Sequence, residues 1–412
     1  MNLRSEQIRP DLSLDIALDQ TLTRTQQQQT LISFLGIDHC SIENICGRTV
    51  LVYKEGEKQI VLLHKAISYL GGNGQHPIYK KRVQISPWFK QFYYDVKQQG
   101  LPYDIRIIGV YHYQGAIIFA DFIKDTYFKK KANSSSAHIY INDLFQALKY
   151  GVFHKEDMNE NHIYAIRGNC LRNYLMGIDT GKNVLFSLFE KFNYGFPFGQ
   201  WLTVLKAARE MYENKWPNWG QSEWAGWFLE YKFEQFIRDN NITSLMKYTG
   251  ISNKGNIPGV FDFDIWFDHD NFYGDLKASD ILQKEAIGND ISNFEECINM
   301  YDKFWYVIYE HETEKDSEQN GYKDVISYNR FLRNTGKQFK DKDELSYKTK
   351  LKTKVRFAKM TILELNRINY RDALTIFNQG HQPDGAPRNP KFSIKKKDMD
   401  RYSVFRYTYT EK

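Results

Sequence analysis

Asp262, Asp264, Asp275 and Lys277 fall on two β-type runs separated by four polar residues, a spacing that could gather carboxylates and an ammonium on one sheet. The first run, Gly259-Val260-Phe261-Asp262-Phe263-Asp264-Ile265-Trp266-Phe267, alternates in polarity. As a strand it would put Phe261, Phe263, Ile265 and Phe267 on one face and Asp262 and Asp264 on the other. The second run, Phe272-Tyr273-Gly274-Asp275-Leu276-Lys277-Ala278, groups Tyr273, Asp275 and Lys277. With Asp268-His269-Asp270-Asn271 as a hairpin loop, Phe267 pairs with Phe272, Asp264 faces Asp275, and Asp262 faces Lys277.

Facing carboxylates repel unless a cation lies between them. Mg²⁺, with Mn²⁺ as a substitute, takes hard oxygen ligands, keeps several waters and is commonly shared by one or two carboxylates and a substrate phosphate. A lysine beside such a pair can orient or help deprotonate a water and offset charge on a phosphoryl group. Asp264 and Asp275 are the expected ligands, with Lys277 as their catalytic partner. The competing reading is a surface hairpin whose acids and lysine are solvated or paired.

The order Asp264, then Asp275-Leu276-Lys277 on a hairpin, resembles the PD-(D/E)xK nuclease superfamily over about residues 221–310. Members usually carry an upstream helix with an acidic residue aimed at the metals, often four positions after a glycine. Gly226-Trp227-Phe228-Leu229-Glu230 matches that pattern, within a helical run from Ser222 to Arg238. Glu223, Glu230 and Glu234 share one stripe of that helix, with Glu230 the preferred additional metal ligand and Glu223 the alternative. A helix at Asn293–Tyr301 and a strand from Phe304 to Tyr309 continue the family order. The Pro-Asp pair of the family name is missing, Pro258 standing four residues before Asp262, so Asp262 stays the alternative to Asp264.

The resemblance implies an α/β (α+β) fold with a restriction-endonuclease-like core, a mixed sheet flanked by helices. It also implies Mg²⁺-dependent hydrolysis of phosphodiesters in double-stranded DNA, leaving 5′-phosphates, as in type II restriction enzymes. Rival readings are a repair, junction-cutting or modification-dependent defence nuclease, and, from another class, a catalytically silent DNA-binding protein. Symmetric cutting of a duplex would call for a homodimer.

A chain of 412 residues suggests two domains at roughly 100–200 residues each. The expected division is 1–195, a mixed α/β domain proposed to read DNA, and 196–412, the catalytic domain, with the boundary within about a dozen residues of Gly195. Hairpins are expected from Thr49–Tyr53 with Gln59–Leu63 and from Ile105–Tyr111 with Ala116–Ala120, and a helix closed by Gly36.

A net charge of +6, from 56 Lys+Arg against 50 Asp+Glu, is compatible with a nucleic-acid partner. The run Tyr347–Phe357 would align Lys348, Lys350, Lys352, Lys354 and Arg356 along one side of a strand as phosphate contacts, with Thr349, Leu351, Thr353, Val355 and Phe357 packed inward. Lys129, Lys130, Lys131, Asn133 and Ser135 form a second candidate DNA-contact loop, and Lys80-Lys81-Arg82 adds basic surface. The four cysteines fit no zinc spacing, the histidines at 64, 76, 112, 154 and 162 have no ligand-spaced partner, and Gly71-Gly72-Asn73-Gly74 lacks a phosphate-loop ending. No apolar run reaches a membrane span of about 18 residues, and Met1-Asn2-Leu3-Arg4-Ser5-Glu6 precedes no apolar signal core. A cytoplasmic setting without membrane partners is therefore expected.

Overall fold

The computed structural model describes residues 3–69, 71, 76–123, 127–128, 135–156, 161–179, 181, 183–250, 261–336, 351–380 and 388–409. The chain divides into two compact units, Met1–Asn183 and Val184–Lys412, both mixed α/β.

In the first unit, helix α1 (Arg24–Leu35) starts at Thr23, whose side chain accepts from Gln26 N while Gln26 Oε1 accepts from Thr23 N, and it stops at Gly36 with φ 94°. The strands around it are β1 (Cys40–Ile45), β2 (Arg48–Glu55) and β3 (Lys58–Ala66). After helix α2 (Pro87–Gln98) come β4 (Asp104–Tyr113), β5 (Ala116–Phe122), β6 (Val152–Glu156) and β7 (His162–Arg167). They form one sheet in the order β6-β7-β5-β4-β3-β2-β1, with β3 and β4 parallel and the rest antiparallel. Both expected hairpins are present as β2–β3 and β4–β5. Leu31 and Leu35 of α1 close one face against Leu51, Tyr53, Ile60 and Leu62.

Lys81 corrects the expectation of a basic surface at 80–82. It is fully buried, with Nζ 2.6 Å from both Ser5 Oγ and Asp19 Oδ1. Alternation in the strand Lys80–Ile85 turns every second residue inward, and a buried ammonium is tolerated only where a carboxylate and further acceptors meet it.

The second unit opens with helix α3 (Val184–Gly195), so the division lies ahead of 195. The cause is aromatic packing: Phe186 stacks on Trp305 at 5.3 Å and Phe189 on Phe233 at 5.6 Å between ring centroids. The Gly- and Pro-containing stretch after α3 is a turn inside the unit; Phe196 and Phe198 are buried there.

Its main sheet takes β8 (Trp201–Thr203), β9 (Lys247–Tyr248), β10 (Ile265–Phe267), β11 (Phe272–Asp280), β12 (Phe304–Lys315), β13 (Lys352–Leu365) and β14 (Ser403–Thr408). The order is β8-β13-β12-β11-β10-β9, with β14 also paired to β13. Only the β11–β12 pair is parallel among these described strands, and the chain between them includes helix α5 (Ile291–Tyr301). Helix α4 (Trp224–Asp239) precedes the β10–β11 hairpin. Among the described residues, no helix is long and apolar enough to cross a membrane.

Candidate active site

The β10–β11 hairpin has the expected register, Phe267 opposite Phe272 and Ile265 opposite Gly274. Asn271 adopts φ 54° in the connecting turn, a conformation asparagine tolerates better than most residues. Strand structure begins only at Ile265, however, and the alternation expected from Phe261 onward changes phase. Phe261 and Phe263 share a core with Trp266 and Tyr273, while Phe267 packs on Phe272 at 4.5 Å and Trp305 at 4.8 Å. The chain bends at Asp262 and Asp264, and the bend shifts the parity of inward positions by one.

That bend sets the two acids in different surroundings. Asp264 is half-buried; its Oδ2 accepts from Leu276 N at 2.9 Å, and its own N–H donates to Asp275 Oδ1 at 3.3 Å. Asp262 is exposed and stands ahead of the paired segment, so the expected pairing with Lys277 does not form as a strand register. Asp275 is buried on β11, and Lys277 Nζ forms an ion pair with its Oδ2.

Glu230 comes from α4, and Tyr248 Oη on β9 donates to its Oε2 at 2.6 Å. Sequence reasoning missed Tyr248: its strand is two residues long and carries no periodic signal. Glu223 stands just before the first residue of α4, exposed, with Ser222 Oγ donating to its carboxylate. The expected helix Ser222–Arg238 is thus present, shifted by one or two residues.

Burial raises Asp264 well above the usual carboxylate range, and the charges of Asp275 and Glu230 push it the same way, with Lys277 opposing. Burial likewise pushes Glu230 up to about 7; Tyr248 and Lys277 oppose, and Asp275 and Asp262 add to the rise. For Lys277, burial would lower the ammonium, but Asp275 and Asp264 outweigh it and the group is raised, hence charged at neutral pH.

These groups fit a hard divalent cation on the chemistry of their donors. Three crowded carboxylates, two of them forced toward protonation by burial and by each other, present oxygen alone, and a cation would relieve that crowding. No ready-made cage of three or more acidic, imidazole or thiolate groups occurs among the described residues. Mg²⁺ needs none, since one or two carboxylates with waters and a substrate phosphate suffice.

Of the basic strand, Lys348 and Lys350 lie outside the described residues, as do Lys129, Lys130, Lys131 and Asn133. Ser135 begins the strand Ser135–Tyr140. On β13, Thr353, Val355 and Phe357 are buried as expected. The cations between them meet partners within the protein: Lys352 Nζ lies 3.4 Å from His311 Nε2, Lys354 Nζ lies 3.3 Å from Glu314 Oε2, and Arg356 Nη2 lies 2.7 Å from Glu312 Oε2. The four cysteines are free thiols.

A family model described as Methylase-associated X1 matches residues 58–175, from β3 past β7 in the first unit. No curated protein and no solved structure matches the chain.

Proposed function

We propose that the chain is a Mg²⁺-dependent endonuclease acting on double-stranded DNA, of the PD-(D/E)xK type and closest in layout to a type II restriction enzyme. One observation carries the reading: Glu230, Asp264, Asp275 and Lys277 converge from a helix and the hairpin that follows it, in the family's order. The order of β11, α5 and β12, with β11 and β12 parallel, supports a restriction-endonuclease-like core. The Methylase-associated X1 match supports a restriction-modification setting, in which the first unit would read DNA.

Asp264, Asp275 and Glu230 would hold the cation, which when bound would supply Lewis-acid stabilisation of phosphate charge. Lys277 keeps its proton beside Asp275, so its role is to donate to the scissile phosphate and offset developing negative charge, leaving proton abstraction from water to another group. Attack of water on phosphorus breaks the bond to the 3′ oxygen and leaves a 5′-phosphate. Tyr248 holds Glu230 in place through its hydroxyl. Duplex cutting on both strands would use two copies of the chain.

The test is plasmid nicking by the full chain with Mg²⁺, with Mn²⁺ and with EDTA. Cleavage with either metal that EDTA abolishes is expected. Full cleavage in EDTA, or binding of DNA without cleavage under any metal, would overturn the reading, the latter in favour of a silent DNA-binding protein.

A further inference from the structure

Strands β2 and β3 are registered from Glu55–Lys58 to Leu51–Leu62, where their pairing ends. β2 remains registered with β1 as far as Arg48, and β3 remains registered with β4 as far as Ala66 opposite Val110. The two strands therefore part, each following its outer neighbour. A cavity of about 220 Å³ opens where they diverge, with Arg24, Gln28, Leu51, Leu62, His64 and Trp88 among its walls.

The walls define what would fit. None of the described lining residues is acidic, and cations stand around the opening: Arg24 Nη2 donates to Thr49 O at 3.1 Å, and the Arg48 guanidinium lies 5.7 Å from the Trp88 ring centroid. A cationic ligand is disfavoured there. His64 is buried, and its tautomer follows from its neighbour. Gln27 Nε2 donates to Leu22 O at 2.7 Å, which turns Gln27 Oε1 toward His64 Nδ1 at 3.1 Å. Nδ1 therefore carries the hydrogen, leaving Nε2 as an acceptor. Burial, with Arg24 and Lys65, pushes the imidazole down to about 4, which keeps it neutral.

The site thus combines an indole face, an amide, a neutral imidazole and flanking guanidinium groups with aliphatic walls. A ligand matching it is flat, has a hydrogen-bonding edge and carries negative charge. Its volume falls below the roughly 300–1,000 Å³ of pockets for drug-sized ligands, so it would hold one small ring system. We propose that this cavity takes a single nucleobase borne on its phosphate chain, either turned out of DNA or arriving as a free nucleotide. Only the choice of DNA as the source rests on the nuclease reading.

The test uses the full chain without metal, titrated by equilibrium dialysis with the four deoxynucleoside monophosphates and competed with a short duplex carrying one mismatched pair. Saturable binding of at least one nucleotide is expected, weakened about tenfold by Trp88→Ala through lost stacking. It should also weaken in Arg24→Gln, a variant at an exposed position that leaves the core intact. Displacement of the nucleotide by the duplex assigns the site to a DNA base; nucleotide binding untouched by the duplex assigns it to the free nucleotide. Absence of saturable binding, or binding unchanged in both variants, overturns the proposal. Nicking plays no part in this measurement, so a failed nicking assay and a failed titration report separately on the two ideas.

Discussion

Tyr248 Oη donates to Glu230 Oε2 at 2.6 Å, joining the short strand β9 to helix α4 beside Asp264 and Asp275. That hydrogen bond favours the ionised form of a carboxyl that burial pushes up to about 7. Tyr248→Phe removes it, so a proton should compete better with a cation at Glu230. Calorimetric titration with Mn²⁺ at neutral pH should show affinity reduced about threefold to tenfold, the scale of one net hydrogen bond of about 1 kcal/mol. Unchanged Mn²⁺ affinity would remove Glu230 from the ligand set.

Lys277 should separate chemistry from binding. Its charge acts mainly as negative charge develops on the phosphate, so Lys277→Ala should slow single-turnover cleavage by about 10²–10³ while DNA affinity changes little. Equal losses in both would make it a DNA contact.

Asp264 accepts a backbone hydrogen bond from Leu276, so truncation would disturb the hairpin as well as the chemistry. Asp264→Asn keeps an acceptor. It should leave thermal stability within about 1 kcal/mol of the parent and abolish Mg²⁺-dependent nicking. Nicking at the parent rate would shift the ligand role to Asp262.

Two cations of β13 are already met by acids of β12, Arg356 by Glu312 and Lys354 by Glu314. If this edge tracks a phosphate chain, Glu312→Gln with Glu314→Gln should tighten DNA binding and steepen the salt dependence by about 0.9 per cation recruited. A slope that does not move places the DNA path elsewhere.

In the first unit, His154 Nε2 lies 3.2 Å from His162 Nδ1, and the His154 ring stacks on Tyr164 at 4.3 Å. Burial, and then His162, pushes His154 down to about 4. A base with a depressed folded pKa binds protons better when unfolded, so its contribution to stability is present above the unfolded value and lost as pH falls toward the folded one. Between about pH 6.5 and pH 4, the parent should lose about 1–3 kcal/mol more than His154→Phe, which keeps a ring against Tyr164. Urea unfolding at a series of pH values measures the difference; parallel curves would refute it.

Much of the hairpin was legible because its signals are local. Phe267 and Phe272 flank four polar residues, and their pairing fixes the register that brings Asp264 to Asp275. The phase change at Asp264 was not legible, since no glycine or proline marks the bend and the aromatic alternation reads smoothly through it. Tyr248 was invisible for a different reason: its importance depends on a strand pairing and a helix contact far apart in sequence, and it is one of 28 tyrosines. The pairing of His154 with His162 likewise arises from the β6–β7 register rather than from a ligand-type spacing. The division before Val184 lies at the early edge of the span expected around 195, because Gly195 and Pro197 look like punctuation while the aromatic residues that tie α3 to its unit show their partners only in three dimensions.

The Leu276 amide finds its acceptor in the Asp264 side chain, at a rung where an antiparallel neighbour would ordinarily offer a backbone carbonyl. One carboxylate is therefore both the end-stop of the hairpin and a member of the charged cluster. The position cannot wander along the chain: a one-residue insertion between Asp264 and Ile265 would leave Trp266 opposite Tyr273 but carry the acid off its rung, so the stop and the acid would move together. Truncating that side chain would therefore remove the reagent and the fold boundary in a single event.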